Sequence, residues 1–279
     1  MMSLNKYAYN YFLILFSFIP LSILIGSAVS VVNILLIDVS FLFLLIYKKN
    51  FKFLKNSAIF YLTILYLYLI FNTFIAIDYS ESISRNVGFI RVIILFIAFN
   101  YFFKEERFLR NVLISWSIII SFILIDVLVE NFTGRNLVGF GEIYNERIVS
   151  FFKDEPIVGG FINSFYLLII GFLFANFKNK NLISIFSIIF LIAILATGER
   201  SNSIKAISGL LFFYILLNEY DFKKKIKFLI SVIVLISAFI LNSEFLKSRY
   251  VGQIKSHIYE DQIYFKLYKS GFQVFKNNK

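Results

Sequence analysis

The chain contains no cysteine. Disulfides, thiolate nucleophiles and cysteine-bound metals are therefore excluded. A single histidine, His257, leaves no multi-histidine metal site. Proline occurs twice, at Pro20 and Pro156, so most helices should run without a proline kink. Charged residues make up only 16% of the chain, against about 25% in ordinary domains. No G-x-x-x-x-G-K-[ST], H-E-x-x-H or G-x-S-x-G motif is present. Nucleotide hydrolysis, metalloproteolysis and serine hydrolysis have no support. The Gly-x-Gly at 139–141 lacks a Rossmann context.

What fills the chain is apolar sequence. Apolar residues make up 59% of it, and 37 residues are Phe. The mean hydropathy is +0.79. Nine apolar stretches lie at 7–25, 29–47, 58–77, 87–103, 112–129, 159–176, 182–197, 203–218 and 228–242. A helix needs about 20 apolar residues to cross roughly 30 Å of hydrocarbon. Backbone groups in lipid must be satisfied within the segment, so the spans should be helices. The expected fold is an all-α integral membrane protein, a polytopic bundle of about nine spans over 1–242. Residues 243–279 would begin a periplasmic helical domain that is incomplete. Residues 11–25 with Ala28-Val29-Ser30 mimic a signal peptide, but another apolar run follows at once. A first hairpin of two spans is the simpler reading.

Net charge is +11. Its placement argues against nucleic acid, because the basic residues sit in short loops and form no basic reading helix. Loops 48–57, 104–111, 177–181 and 219–227 hold 13 Lys/Arg. The alternate loops 26–28, 78–86, 130–158 and 198–202 hold 5. The positive-inside rule then puts the N-terminus and the first set in the cytoplasm. The second set and the residues after 243 would face outward, which in a bacterial inner membrane is the periplasm.

The outward parts hold the unusual chemistry. Loop 198–202 reads Gly-Glu-Arg-Ser-Asn and carries Arg200. Its planar, permanently charged fork suits phosphate oxygens. Small neighbours would leave N–H groups open at the start of the next helix, which favours an anion. The plainer alternative is an interfacial arginine paired with Glu199 or snorkelling to headgroups. Loop 130–158, the longest internal loop, carries Arg147. Two outward arginines close together would make a diphosphate clamp.

Asp38 falls near the middle of the second span, and Arg91 lies about a turn inside the fourth. Such residues face the bundle interior or a polar cavity, and mutual pairing is favoured over a proton relay. Asp126 and Lys205 lie nearer helix ends and read as interfacial. His257 reads as solvated or structural. In the tail, Ile263, Leu267, Phe272 and Phe275 fit a helix lying on a membrane or another domain.

Three stretches resemble the bacterial O-antigen ligase and polymerase superfamily. Arg147-Ile148-Val149-Ser150-Phe151-Phe152-Lys153-Asp154-Glu155-Pro156, then Gly159-Gly160, looks like its Arg–apolar–small–Phe–Asp/Asn–Pro motif. Thr197-Gly198-Glu199-Arg200-Ser201 looks like its Thr-Gly-Ser-Arg turn. Tyr268-Lys269-Ser270-Gly271-Phe272-Gln273-Val274-Phe275-Lys276 resembles the helix before its periplasmic Gly-x-Gly stretch. The match covers residues 130–279 best.

The resemblance implies glycosyl transfer at the periplasmic face of the inner membrane, in lipopolysaccharide or surface polysaccharide assembly. The implied donor is a glycan on undecaprenyl diphosphate. The acceptor is lipid A–core for a ligase, or a second lipid-linked glycan for a polymerase. Arg147 and Arg200 would bind the diphosphate, with no metal or nucleotide. The family's catalytic His, its Gly-x-Gly stretch and its closing spans would lie beyond Lys279, so the chain is expected to be an N-terminal piece. Two rivals stand beside this reading: a flippase for lipid-linked oligosaccharide, and a non-catalytic membrane scaffold.

Overall fold

The computed structural model describes residues 6–49, 56–141, 147–153, 155–256 and 263–277. Among them every regular element is helical. Two compact units result, Met1–Ile119 and Ile120–Lys279. Helix α7, Glu106–Thr133, runs through the boundary.

The first unit opens with α1 (Lys6–Ser17) and α2 (Ile19–Ile25), which meet at 44°. Pro20 is the physical cause. It has no N–H to give to the carbonyl four residues back, that of Phe16. The orphaned oxygen is not left bare: the Trp116 indole N–H donates to it at 2.9 Å. Gly26, at φ +147, turns the chain into α3 (Ser27–Lys48). This gives the hairpin read from the sequence. The amide of Asn33 on α3 donates to Leu15 O and to Ser22 Oγ. Phe12, Phe16, Phe102 and Phe108 form the buried aromatic centre, with Phe102 and Phe108 stacked at 5.0 Å.

Next come α4 (Ser57–Ile75), α5 (Tyr79–Gly88) and α6 (Ile90–Phe102). Residues 78–86, expected as a loop, are mostly the first turns of α5. Asp78 caps that helix by accepting the N–H of Glu81 at 3.0 Å. Asn86 then ties α5 to α4 by donating to Leu69 O and Thr73 Oγ1, each at 2.9 Å.

Asp38 is 3% exposed, and neither carboxylate oxygen has a hydrogen-bond partner. Arg91 acts on it electrostatically but is itself exposed, and the two make no ion pair. The expected direct pairing is therefore not formed.

The second unit packs α8 (Val158–Asn176), α9 (Lys180–Ala196) and α10 (Arg200–Leu216) together. A Cβ at Gly209 of α10 would stand 2.6 Å from a Leu167 methyl of α8. The missing side chain allows that approach. Tyr214 donates to Ser184 Oγ at 2.7 Å, and Tyr166 donates to Ser187 O at 3.0 Å. Helix α11 (Phe222–Leu241) stacks Phe228 on Tyr214 at 3.7 Å. Beyond it lie α12 (Glu244–Lys247), a π turn at Ser248–Gly252, α13 (Gln253–Lys255) and α14 (Ile263–Asn277).

Among the described residues, five helical segments are long and apolar enough to cross a membrane: α3, α4, the α5–α6 pair, α7 and α8. Counting the bent pair α1–α2, and α11 with its 107° continuation, gives up to seven. Helices α9 and α10 have 17 residues each. At 1.5 Å per residue they reach about 25 Å, short of the usual ~30 Å. The expectation of nine crossings is thus met to five, or up to seven. Large apolar side chains face outward along these helices, as at Phe43, Phe71 and Phe74. Water would penalise such a surface, whereas hydrocarbon accommodates it.

Candidate functional site

The site is built at the end of α8 that begins with Val158. Its first element is the segment 147–153, held by two carboxylates of α7. Glu130 accepts the N–H groups of Val149 at 3.0 Å and Ser150 at 2.7 Å. Asp126 accepts the Ser150 hydroxyl at 2.5 Å and the Leu137 N–H at 2.8 Å. Asn136 donates to Ser150 O at 2.7 Å. Asp126 is fully buried and Glu130 is 4% exposed, yet both are hydrogen-bonded. Asp126 is therefore a buried fastener and not the interfacial residue expected from its position. Ser150 adopts φ +50 inside this network. Such a conformation is unfavourable for a residue with a Cβ and persists only where the surroundings fix it. The Phe151 ring lies flat on Phe122 at 5.6 Å, which adds a further anchor.

This anchoring fixes Arg147. Its Nη2 donates to Pro156 O at 3.3 Å, two residues before α8 starts. Its Nε is buried with no partner. Lys153, in the same segment, is exposed and reaches over the Phe140 ring at 5.5 Å.

The second element is the turn between α9 and α10. Thr197 donates back to Ile194 O and accepts the N–H of Glu199. Gly198 takes φ +68, which the tight reversal requires. Glu199 then reaches across to α8. Its Oε1 accepts the N–H of Gly159 at 2.7 Å, and its Oε2 accepts that of Gly160 at 3.0 Å. Asn202 donates to Oε2 at 2.6 Å. Two successive free N–H groups at a helix start form an anion site, and here the anion is the protein's own carboxylate. Both glycines are needed for the approach. A Cβ on Gly159 would lie 2.4 Å from Thr197 Oγ1, and one on Gly160 would lie 2.9 Å from Asn202 Nδ2.

Arg200 occupies the first position of α10 and is half-buried. It does not pair with Glu199, whose oxygens are already engaged. Its guanidinium has no hydrogen bond or ion pair to a described residue. The first three N–H groups of α10 likewise have no described acceptor, and its N-cap supplies no side-chain bond. Lys205 is exposed on the same helix.

The third element escaped the sequence reading. After α11 the chain turns through 107°, off the axis of that helix, and covers the Thr197–Arg200 turn. Arg249 Nη2 donates to Gly198 O at 3.3 Å, and Nη1 donates to Gln253 at 2.8 Å. The Phe245 ring closes over Gly198. The Tyr250 hydroxyl donates to Leu195 O at 3.0 Å and accepts from Ser203 Oγ at 2.6 Å. Burial pushes its phenol up to about 12, so it remains a neutral donor. The charges of Glu199, Arg249 and Arg200 all act on it. The only sequence signal was a basic-aromatic pair just past the last apolar stretch.

The structure thus brings Arg147 and the Arg200 turn to one end of α8 and adds Arg249 there. Chemically, this is a set of three arginines beside the open N–H groups of α10, with the carboxylates of Glu199, Asp126 and Glu130 already engaged in hydrogen bonds to the protein. It suits a multivalent oxyanion. His257 and Asp154 lie outside the described residues. No group of acids or histidines suited to a metal occurs among the described residues. Comparisons with protein families, curated proteins and solved structures find no match.

Proposed function

We propose that the protein is an O-antigen ligase-like membrane glycosyltransferase. It acts on a glycan carried by undecaprenyl diphosphate at the periplasmic face of the bacterial inner membrane. The acceptor is lipid A–core, or another lipid-linked glycan if the enzyme is a polymerase. In this reading the chain crosses the membrane nine times with its N-terminus in the cytoplasm, and the two 17-residue helices cross a locally thin region. The site end of α8 then faces the periplasm.

One observation carries the reading. Two family-like motifs some 40 residues apart in sequence converge on one helix start, Arg147 on Pro156 O and Glu199 on Gly159 and Gly160. In the transfer, an acceptor hydroxyl attacks the anomeric carbon and gives up its proton to solvent as the new carbon–oxygen bond forms. The carbon–oxygen bond to the diphosphate breaks, and undecaprenyl diphosphate leaves with the electron pair. Arg147 and Arg200 stabilise the charge that builds on that leaving group.

A transporter of lipid-linked oligosaccharide is the second reading. It is favoured by Asp38, a buried carboxylate without a hydrogen-bond partner in a spanning helix. The discriminating experiment supplies the reconstituted full-length protein with glycan on undecaprenyl diphosphate. Glycan on lipid A–core supports a ligase, and lengthened lipid-linked glycan supports a polymerase. Movement of intact donor across the bilayer without transfer supports the transporter and refutes the enzyme.

A further inference from the structure

Helix α14, Ile263–Asn277, is not used by the site above. Every described side chain on it, 265–277, is exposed. At about 100° per residue its side chains divide into two faces. Phe265, Leu267, Tyr268, Phe272 and Phe275 share one half of the circumference and are 65% to 75% exposed. Lys266, Lys269 and Lys276 lie on the other half, with Ser270 and Gln273. No acid occurs between 263 and 277.

We propose that α14 lies in the headgroup region of an anionic membrane leaflet, with its aromatic face toward the acyl chains. Three features single out this occupant. The polar face carries positive charge only, which complements anionic lipid and gives no preference for a second copy of the same basic helix. The apolar face is mainly aromatic, and rings of this kind settle at the headgroup level. The helix also belongs to a chain with at least five other helical segments long and apolar enough to cross a bilayer, which would tether it to that surface. This inference does not rest on the glycosyltransferase reading.

The absence of cysteine makes the test direct. Full-length Phe272→Cys and Lys269→Cys proteins carry a nitroxide and are reconstituted in vesicles. One set is phosphatidylcholine alone, and the other contains added phosphatidylglycerol. Collisions with oxygen and with a water-soluble nickel chelate are then read. In anionic vesicles the label at 272 should meet oxygen and the label at 269 should meet nickel. Replacing each lysine on the polar face by glutamine should lower the embedded-to-exposed ratio at 272 about fivefold. Equal nickel access at both positions overturns the proposal. So does a 272 label shielded from both reagents, which would place the face against protein. Embedding that is the same without anionic lipid removes the charge component and overturns the proposal as stated.

Discussion

Glu199 and Gly159 stand 40 residues apart, and the carboxylate of one accepts the backbone N–H of the other at 2.7 Å. That bond joins the α9–α10 turn to the start of α8. Its geometry leaves no room for a methyl group at Gly159, where a Cβ would lie 2.4 Å from Thr197 Oγ1 and 2.9 Å from Glu199 Oε1. Gly159→Ala should therefore destabilise the protein by about 1–3 kcal/mol. Gly88→Ala is the control, since a Cβ there meets nothing within 4 Å. Thermal unfolding in detergent checks the pair. Equal melting of Gly159→Ala and the parent would mean that the turn is loosely held.

Trp116 should matter through one atom. Its indole satisfies the Phe16 carbonyl that Pro20 orphans. Trp116→Phe should cost about 1–3 kcal/mol, in part because a buried acceptor is left bare. In a Pro20→Ala background residue 20 regains its N–H, so the same substitution should cost measurably less. A double-mutant cycle in detergent reads the difference. Strict additivity would contradict this role for the indole.

Orientation follows from the loop charges. Single cysteines replacing Ser57 and Ser201, labelled with a membrane-impermeant maleimide in intact cells, should react from opposite sides. Residue 201 should label from outside and residue 57 only after permeabilisation. Labelling of both from outside would overturn the proposed topology.

Much of the helical layout was legible because apolar length is a local property. The α2–α3 hairpin and the approximate position of each apolar helix follow from it, whereas the bend near Pro20 divides a stretch read as one span, 7–25. The start of α5 was also legible in principle, since Asp78-Tyr79-Ser80-Glu81 has the spacing of a helix-capping pair. The crossing count was less so, because α9 and α10 are trimmed by the turns that build the site.

Depth alone suggested that Asp38 and Arg91 pair. The rotation of α6 that leaves Arg91 exposed is a packing outcome and is not written in the sequence. The same holds for the site. Arg147 and Arg200 were visible as residue types in small-residue settings. The approach of their two segments to the start of α8 depends on Glu199 reaching Gly159 and Gly160, and on Asp126 and Glu130 fastening the segment around Ser150. Arg249 and Tyr250 were missed because their partners, Gly198 and Leu195, are backbone carbonyls about 50 residues away.

The central claim is that Arg147 and Arg200 act on the diphosphate of the donor lipid. The direct measurement is the rate of glycan transfer from undecaprenyl diphosphate by the reconstituted full-length protein, at matched membrane levels of each variant. Arg200→Ala and Arg147→Ala should each lose about a hundredfold, or roughly 3 kcal/mol of transition-state stabilisation. Arg200→Lys should recover only part of this, because a point charge cannot replace a bidentate fork. Lys153→Ala, whose ammonium rests over the Phe140 ring, should stay near the parent rate. Parent rates in both arginine variants would contradict the account and leave these side chains as interfacial anchors.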